Sequence, residues 1–142
     1  MNSMTARQQQ LIRDTFTSVR EMGAPLTQLF YGRLFAVAPS LRPMFRGDVR
    51  AQGQKLMDML TVLINGVDGL RQHEPNLRAL GQRHAGYGVK PEYYPVMREA
   101  FGWALAQALE REFTPEVKAA WLALLDEVNA VMMAGADELT RC

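Results

Sequence analysis

The chain has 142 residues and a formal charge of +1, from sixteen Lys and Arg against fifteen Asp and Glu. A length of this order suits one domain, and the near-even charge argues against a nucleic-acid partner, which would call for a clustered basic face. The single cysteine, Cys142, is the last residue, so neither an internal disulfide nor a cysteine-held zinc or iron–sulfur centre is expected. No uninterrupted apolar run reaches the length of a membrane span, and Met1-Asn-Ser-Met-Thr-Ala-Arg-Gln8 lacks a signal core. The expected setting is therefore cytoplasmic, with no membrane partner. Nine methionines predict a pliable interior.

Thr5-Ala-Arg-Gln8 has capping-box spacing, in which hydroxyl and amide satisfy each other's helix-start N–H groups. The helix it opens carries Leu11, Ile12, Phe16, Val19 and Met22, a single apolar stripe. Gly23-Ala-Pro25 ends it and starts a second helix with Leu26, Leu29, Phe30, Leu34 and Phe35, and with Tyr31 among them. Pro39 and Pro43 mark a short, kinked segment ending in Met44-Phe45. Arg42 and Arg46 are read as solvated helix ends.

Arg46-Gly-Asp48 is a turn whose aspartate can cap the next helix. That helix has Leu56, Met59, Leu60, Leu63 and Ile64 on its predicted buried face, with Gln52 and Lys55 near its start, and Gly66-Val-Asp-Gly69 closes it. His73 lies in the polar stretch Gln72-His-Glu-Pro75 and is read as solvated. A fourth helix then carries Leu77, Leu80 and His84 on one face. Gly86 and Gly88 break it, and Lys90-Pro91-Glu92 is expected to start the next helix, which buries Val96, Phe101, Leu105, Ala108 and Leu109. Pro95 fits only in its first turn. Thr114-Pro115-Glu116 is a strong start signal for a last helix bearing Val117, Trp121, Leu124, Leu125, Val128, Val131 and Met132. No segment alternates as a strand does. The expected class is all-α: about seven helices, two of them short, in one packed domain.

Chemistry concentrates at His84, an imidazole at the end of an apolar face just before a sharp turn. Such a ring can reach a flat cofactor lying on that face, or simply cap the helix or fill the core. Tyr31 by itself reads as a core aromatic bonded to a backbone carbonyl, and Gln52 as a surface glutamine.

Taken together, these residues resemble a globin, and are especially similar to the globin domain of bacterial flavohaemoglobins and to single-domain bacterial globins. The resemblance covers nearly the whole chain. Pro39 followed six residues later by Phe45 matches the family's helix corner and its haem-packing phenylalanine. Tyr31 falls at the distal tyrosine position, Gln52 at the distal residue and His84 at the proximal position, and the string through Lys90-Pro91-Glu92 is close to the flavohaemoglobin pattern. There are two departures. The 142 residues hold no counterpart of the flavin and nicotinamide domains. Tyr94 fits the tyrosine of a proximal His–Tyr–Glu network, but the glutamate's position is Ala136, and Asp137 and Glu138 would point elsewhere on a helix.

The resemblance implies a globin fold enclosing haem b (iron protoporphyrin IX), with His84 on a pentacoordinate iron and its second ring nitrogen donating to a backbone carbonyl such as that of Leu80. Phe30, Tyr31, Phe45, Gln52 and Leu56 would line the opposite side. Phe45, Leu56, Leu80, Val89 and Met97 would pack the porphyrin faces, with Tyr87 and Tyr94 also in its surroundings. Lys55 or Arg83 would meet a propionate or remain solvated. The implied ligands are oxygen, nitric oxide and carbon monoxide, held tightly where Tyr31 and Gln52 donate hydrogen bonds. Nitric oxide dioxygenation would need a separate reductase. A haem-based gas or redox sensor acting through a partner and a haem-free interaction module are the alternatives.

Overall fold

The computed structural model describes residues 4–45, 48–66 and 72–141. Among them the chain forms six α-helices: α1 (Ala6–Met22), α2 (Ala24–Val37), α3 (Val49–Asn65), α4 (Glu74–Gly86), α5 (Tyr93–Leu109) and α6 (Pro115–Arg141). A 3-10 helix over Pro39–Met44 joins α2 to α3 and makes the seventh; a 3-10 turn at Glu110–Glu112 links α5 to α6. The turn residues Arg46 and Gly47, the stretch from Val67 to Gly69, and Cys142 lie outside the described residues.

Local chemistry sets the boundaries. The Gln8 N–H donates to Thr5 Oγ1 at 3.0 Å, and the Thr5 N–H donates to Gln8 Oε1 at 3.1 Å, completing the capping box. Asp48 accepts from the Arg50 N–H at 3.0 Å, and Thr114 accepts from the Val117 N–H at 3.2 Å. Pro91 falls outside α5, contrary to the sequence reading. The Lys90 and Pro91 carbonyls accept from the Tyr93 and Tyr94 N–H groups at 2.9 and 3.2 Å. That turn delays helix entry until Tyr93, and Pro95 then occupies the first turn, where a missing N–H costs nothing.

The core forms where α1, α2, α5 and α6 meet. Leu26, Leu34, Leu105 and Leu124 are fully buried, each stabilising the fold by roughly 1.5–3 kcal/mol. Trp121 on α6 is wholly buried between Phe16 of α1 and Phe101 of α5. Its indole N–H donates to Thr15 Oγ1 at 2.9 Å, and that hydroxyl donates in turn to the Leu11 carbonyl at 2.7 Å. By length and mean hydropathy (1.3) the segment Pro115–Asp137 could cross a membrane. Lys118, Asp126 and Glu127 interrupt it, and its apolar side is taken up by this core.

The most extensive helix contact is α4 on α6, followed by α2 on α5, α1 on α6 and α2 on α3. Between α3 and α4 there is no interface of comparable extent. Accordingly α3 buries Gly53, Met57, Leu60, Leu63 and Ile64, while Leu56 and Met59, expected in the core, are only half-buried. Gln52, Leu56 and Met59 lie about a quarter-turn round the helix from the Gly53–Met57 stripe. His73 is also half-buried rather than solvated. Its ring packs against Gly66, where a Cβ would lie 2.8 Å from Nε2.

Replacing Thr15 with valine keeps the shape and leaves the Trp121 N–H buried without an acceptor. Thr15→Val is expected to lower the urea-unfolding free energy by about 1–3 kcal/mol; an unchanged midpoint would show that this bond is dispensable.

Candidate functional site

The residues the sequence singles out are spread over α2, α3, α4, α5 and the turns between them, with Leu80, Arg83 and His84 on α4. Helix α4 begins at Glu74 and Pro75 and is braced by a Glu74–Arg78 ion pair of 3.0 Å. Near its end, His84 Nδ1 lies 2.8 Å from the Leu80 carbonyl oxygen. A carbonyl only accepts, so Nδ1 carries the proton and Nε2 keeps a free lone pair. Burial pushes the His84 pKa below the usual histidine range; the Leu80 bond opposes that shift and neighbouring Arg83 adds to it. The ring is thus a neutral imidazole with one nitrogen fixed and the other available as a ligand. The turn beyond is tied to the same residue: the His84 carbonyl accepts from both the Tyr87 and Val89 N–H groups at 3.0 Å. Gly88 follows at φ +93°, which a side chain would strain.

Tyr31, on α2, is 5% exposed. Its ring packs edge-on to Phe45 (5.4 Å between centroids), stacks on Phe35 (6.0 Å) and tilts against Phe30 (4.8 Å). Phe30 in turn meets Phe101 of the core edge-on. Arg42 closes the cluster from outside. It lies over the Phe35 ring and donates to the Phe45 carbonyl at 3.2 Å, so it is more tightly placed than a freely solvated helix end. Burial drives the Tyr31 phenol far above its ordinary range, which keeps its hydroxyl protonated and able to donate.

The remaining candidates separate by exposure. Leu56, Leu80, Val89 and Met97 are half-buried against the core. Gln52 and Lys55 are exposed on α3, Arg83 is exposed on α4, and Tyr87 is 69% exposed. The structure therefore groups Phe30, Tyr31 and Phe45 in one cage and joins Leu80 to His84, but leaves Gln52, Lys55, Arg83 and Tyr87 facing solvent. Tyr94, on α5, is buried at 2% exposure, and its hydroxyl has no hydrogen-bond partner among the described residues. Burial also raises its pKa.

Two features escaped the sequence reading. Phe35, four residues after Tyr31, is the stacking wall of the cage. Gly81 and Gly135 allow α4 and α6 to touch backbone to backbone: a Cβ at either position would lie 2.7 Å from a Cα of the other helix. Glycine inside a helix costs about 0.5–1 kcal/mol relative to alanine, and that cost is the signal that could have revealed the crossing.

Among the described residues no three His, Cys, Asp or Glu side chains converge as a metal cage. A lone neutral imidazole beside half-buried apolar surfaces instead fits a metal that brings its own equatorial ligands, as a porphyrin does. An open groove of about 210 Å³ between α1, α2 and α3, bordered by Arg20, Thr27, Arg50 and Asp58, contains none of these residues.

Comparison with known proteins agrees with this fold. The chain is 28% identical over 131 residues to Flavohemoprotein B of Dictyostelium discoideum, covering 92% of this chain but 31% of that protein. It superposes on a bacterial globin from Campylobacter jejuni with a TM-score of 0.87 at 21% identity, covering 97% of this chain and 100% of the other. An engineered carbene transferase, built on a Rhodothermus marinus protein provisionally assigned as a nitric oxide dioxygenase, gives a TM-score of 0.89 at 19% identity, covering 98% and 97%. The family model described as Globin matches residues 28–132, a span that includes Tyr31, Gln52 and His84. The chain is a member of the globin family.

Proposed function

We propose that the chain holds haem b between α3 and α4, with His84 Nε2 as the axial ligand, and reversibly binds oxygen, nitric oxide or carbon monoxide on the Tyr31 side. The observation that carries this reading is the fixed tautomer of His84, whose Nδ1–H is committed to Leu80 at 2.8 Å. When bound, haem would supply a redox-active iron able to take a diatomic ligand. The protein's part is to set the environment on each side.

On the His84 side, the ring is oriented by a neutral carbonyl. A carboxylate would push more electron density toward the metal, and Ala136 supplies none. This favours ligand binding over peroxidase chemistry. On the other side, Phe30, Phe45 and Leu56 present apolar surface that excludes water, and the Tyr31 hydroxyl donates to a diatomic ligand that has gained negative charge. A hydrogen bond to a charged acceptor stabilises by about 1.5–3 kcal/mol, roughly a ten- to hundredfold change in affinity. The reading assigns Gln52, exposed on α3, to the same donor set.

Nitric oxide dioxygenation suits the same pocket. Its balance is nitric oxide, oxygen and one electron giving nitrate, with the electron drawn from a separate reductase. Likeness to a flavohemoprotein and to the Rhodothermus marinus protein supports this as a second activity.

The purified protein should take up haem and show a Soret band that moves with oxygen and carbon monoxide. His84→Ala should abolish axial ligation, with added imidazole restoring it; an unaltered ferrous spectrum in the variant would remove His84 from the axis. Tyr31→Phe should speed oxygen dissociation by about ten- to hundredfold, measured by stopped flow, and an unchanged rate would strip Tyr31 of its role. Rapid mixing of the oxygenated protein with nitric oxide should yield stoichiometric nitrate and ferric protein. Without nitrate, the dioxygenation reading fails.

A further inference from the structure

We infer that Gly81 is a positioning residue: the peptide unit joining Leu80 to Gly81 is clamped against the α6 backbone at Met132, and the Leu80 carbonyl passes that constraint to the His84 ring. Helix α6 thereby sets the orientation of the imidazole through this carbonyl of α4. For its readout on the metal this rests on the haem reading above; the clamp itself does not.

A Cβ at position 81 would overlap the Met132 carbonyl oxygen and lie 2.7 Å from Met132 Cα. A Cβ at position 135 would overlap the Arg78 carbonyl oxygen and lie 2.7 Å from Arg78 Cα. Residue 81 thus faces 132 while 78 faces 135, so the two helices run antiparallel here with their backbones touching. Both glycines are buried, and α4 packs on α6 more extensively than on any other element.

The atoms of the clamp are next to those that hold the ring. The Leu80 carbonyl accepts from His84 Nδ1 at 2.8 Å, and the peptide plane that contains this carbonyl also contains the nitrogen and Cα of Gly81. Moving that Cα turns the carbonyl. Carbon atoms in contact sit about 3.5–4.0 Å apart, so an alanine at position 81 must lift α4 from α6 by roughly 1 Å. A displacement of that size at the acceptor takes the Nδ1–H···O bond out of good geometry. Gly135 presses instead on Arg78, whose carbonyl does not hold the ring. Gly86 has no atoms within 4 Å of a built Cβ and serves as a neutral control.

Three variants, Gly81→Ala, Gly135→Ala and Gly86→Ala, are to be compared in the haem-loaded, reduced protein by resonance Raman and by haem transfer to an acceptor. Gly81→Ala is expected to shift the iron–histidine stretch and speed haem loss about tenfold, the equivalent of weakening ligation by about 1.4 kcal/mol. Gly135→Ala should lower Tm to a similar degree with the stretch unmoved, and Gly86→Ala should match the unaltered protein. An unmoved stretch in Gly81→Ala, or an equal shift in Gly81→Ala and Gly135→Ala, overturns the assignment to this peptide. Should the variants fail to fold, hydrogen exchange in the unaltered chain decides. The His84 Hδ1 should exchange as slowly as the Gly81 amide, since the ring is freed only when the crossing opens; exchange at the rate of a free ring flip overturns the clamp. If the protein takes up no haem, the proposed function fails, and the same exchange comparison on the haem-free chain still tests the clamp.

Discussion

Helices α3 and α4 are each seated on a neighbouring helix by close contacts at glycines. On one side Gly53 of α3 abuts Thr27 of α2, with a would-be Cβ 2.6 Å from the threonine hydroxyl oxygen. On the other, Gly81 and Gly135 bring α4 and α6 into backbone contact. Close packing resists small displacements, and the most extensive contacts of α3 and α4 are with α2 and α6 rather than with each other. Leu56 on α3 and Leu80 on α4 are left half-buried.

The chemistry follows from the different environments on the two sides. Beside α4 is a neutral imidazole with a free lone pair, its pKa lowered chiefly by burial. On α2 is a phenol kept protonated by burial within an aromatic cage. In the proposed function the first would serve as a ligand for the metal and the second as a hydrogen-bond donor, neither carrying a formal charge. The Tyr94 hydroxyl is buried on α5 without a partner among the described residues, which is costly.

Much of this was legible from residue order alone, because the relevant interactions are local. The Thr5–Gln8 box and the Asp48 and Thr114 caps all join residues within four positions of each other, and the resemblance supplied the His84–Leu80 bond. Periodicity also placed Leu11, Ile12, Phe16 and Val19 in the core. It misjudged α3, where it assigned Leu56 and Met59 to the same buried face as Leu60 and overlooked Met57, because an apolar stripe does not show which of its residues the neighbouring helices cover. His73 and Pro91 were misplaced for a related reason. Their surroundings depend on Gly66 and on the Lys90–Tyr93 turn, which residue type does not reveal.

The order of residues by itself determined the helical class, most helix starts and the resemblance that joins Tyr31, Phe45 and His84 in one register. All of these arise from neighbours one turn away or from spacing along the chain. Only the tertiary structure decided that Phe35 completes the Tyr31 cage, that Gln52 and Tyr87 face solvent, and that Gly81 meets Met132. Contacts between residues 81 and 132 depend on how two helices cross, and a crossing is set by the packing of every side chain at the interface rather than by any short pattern.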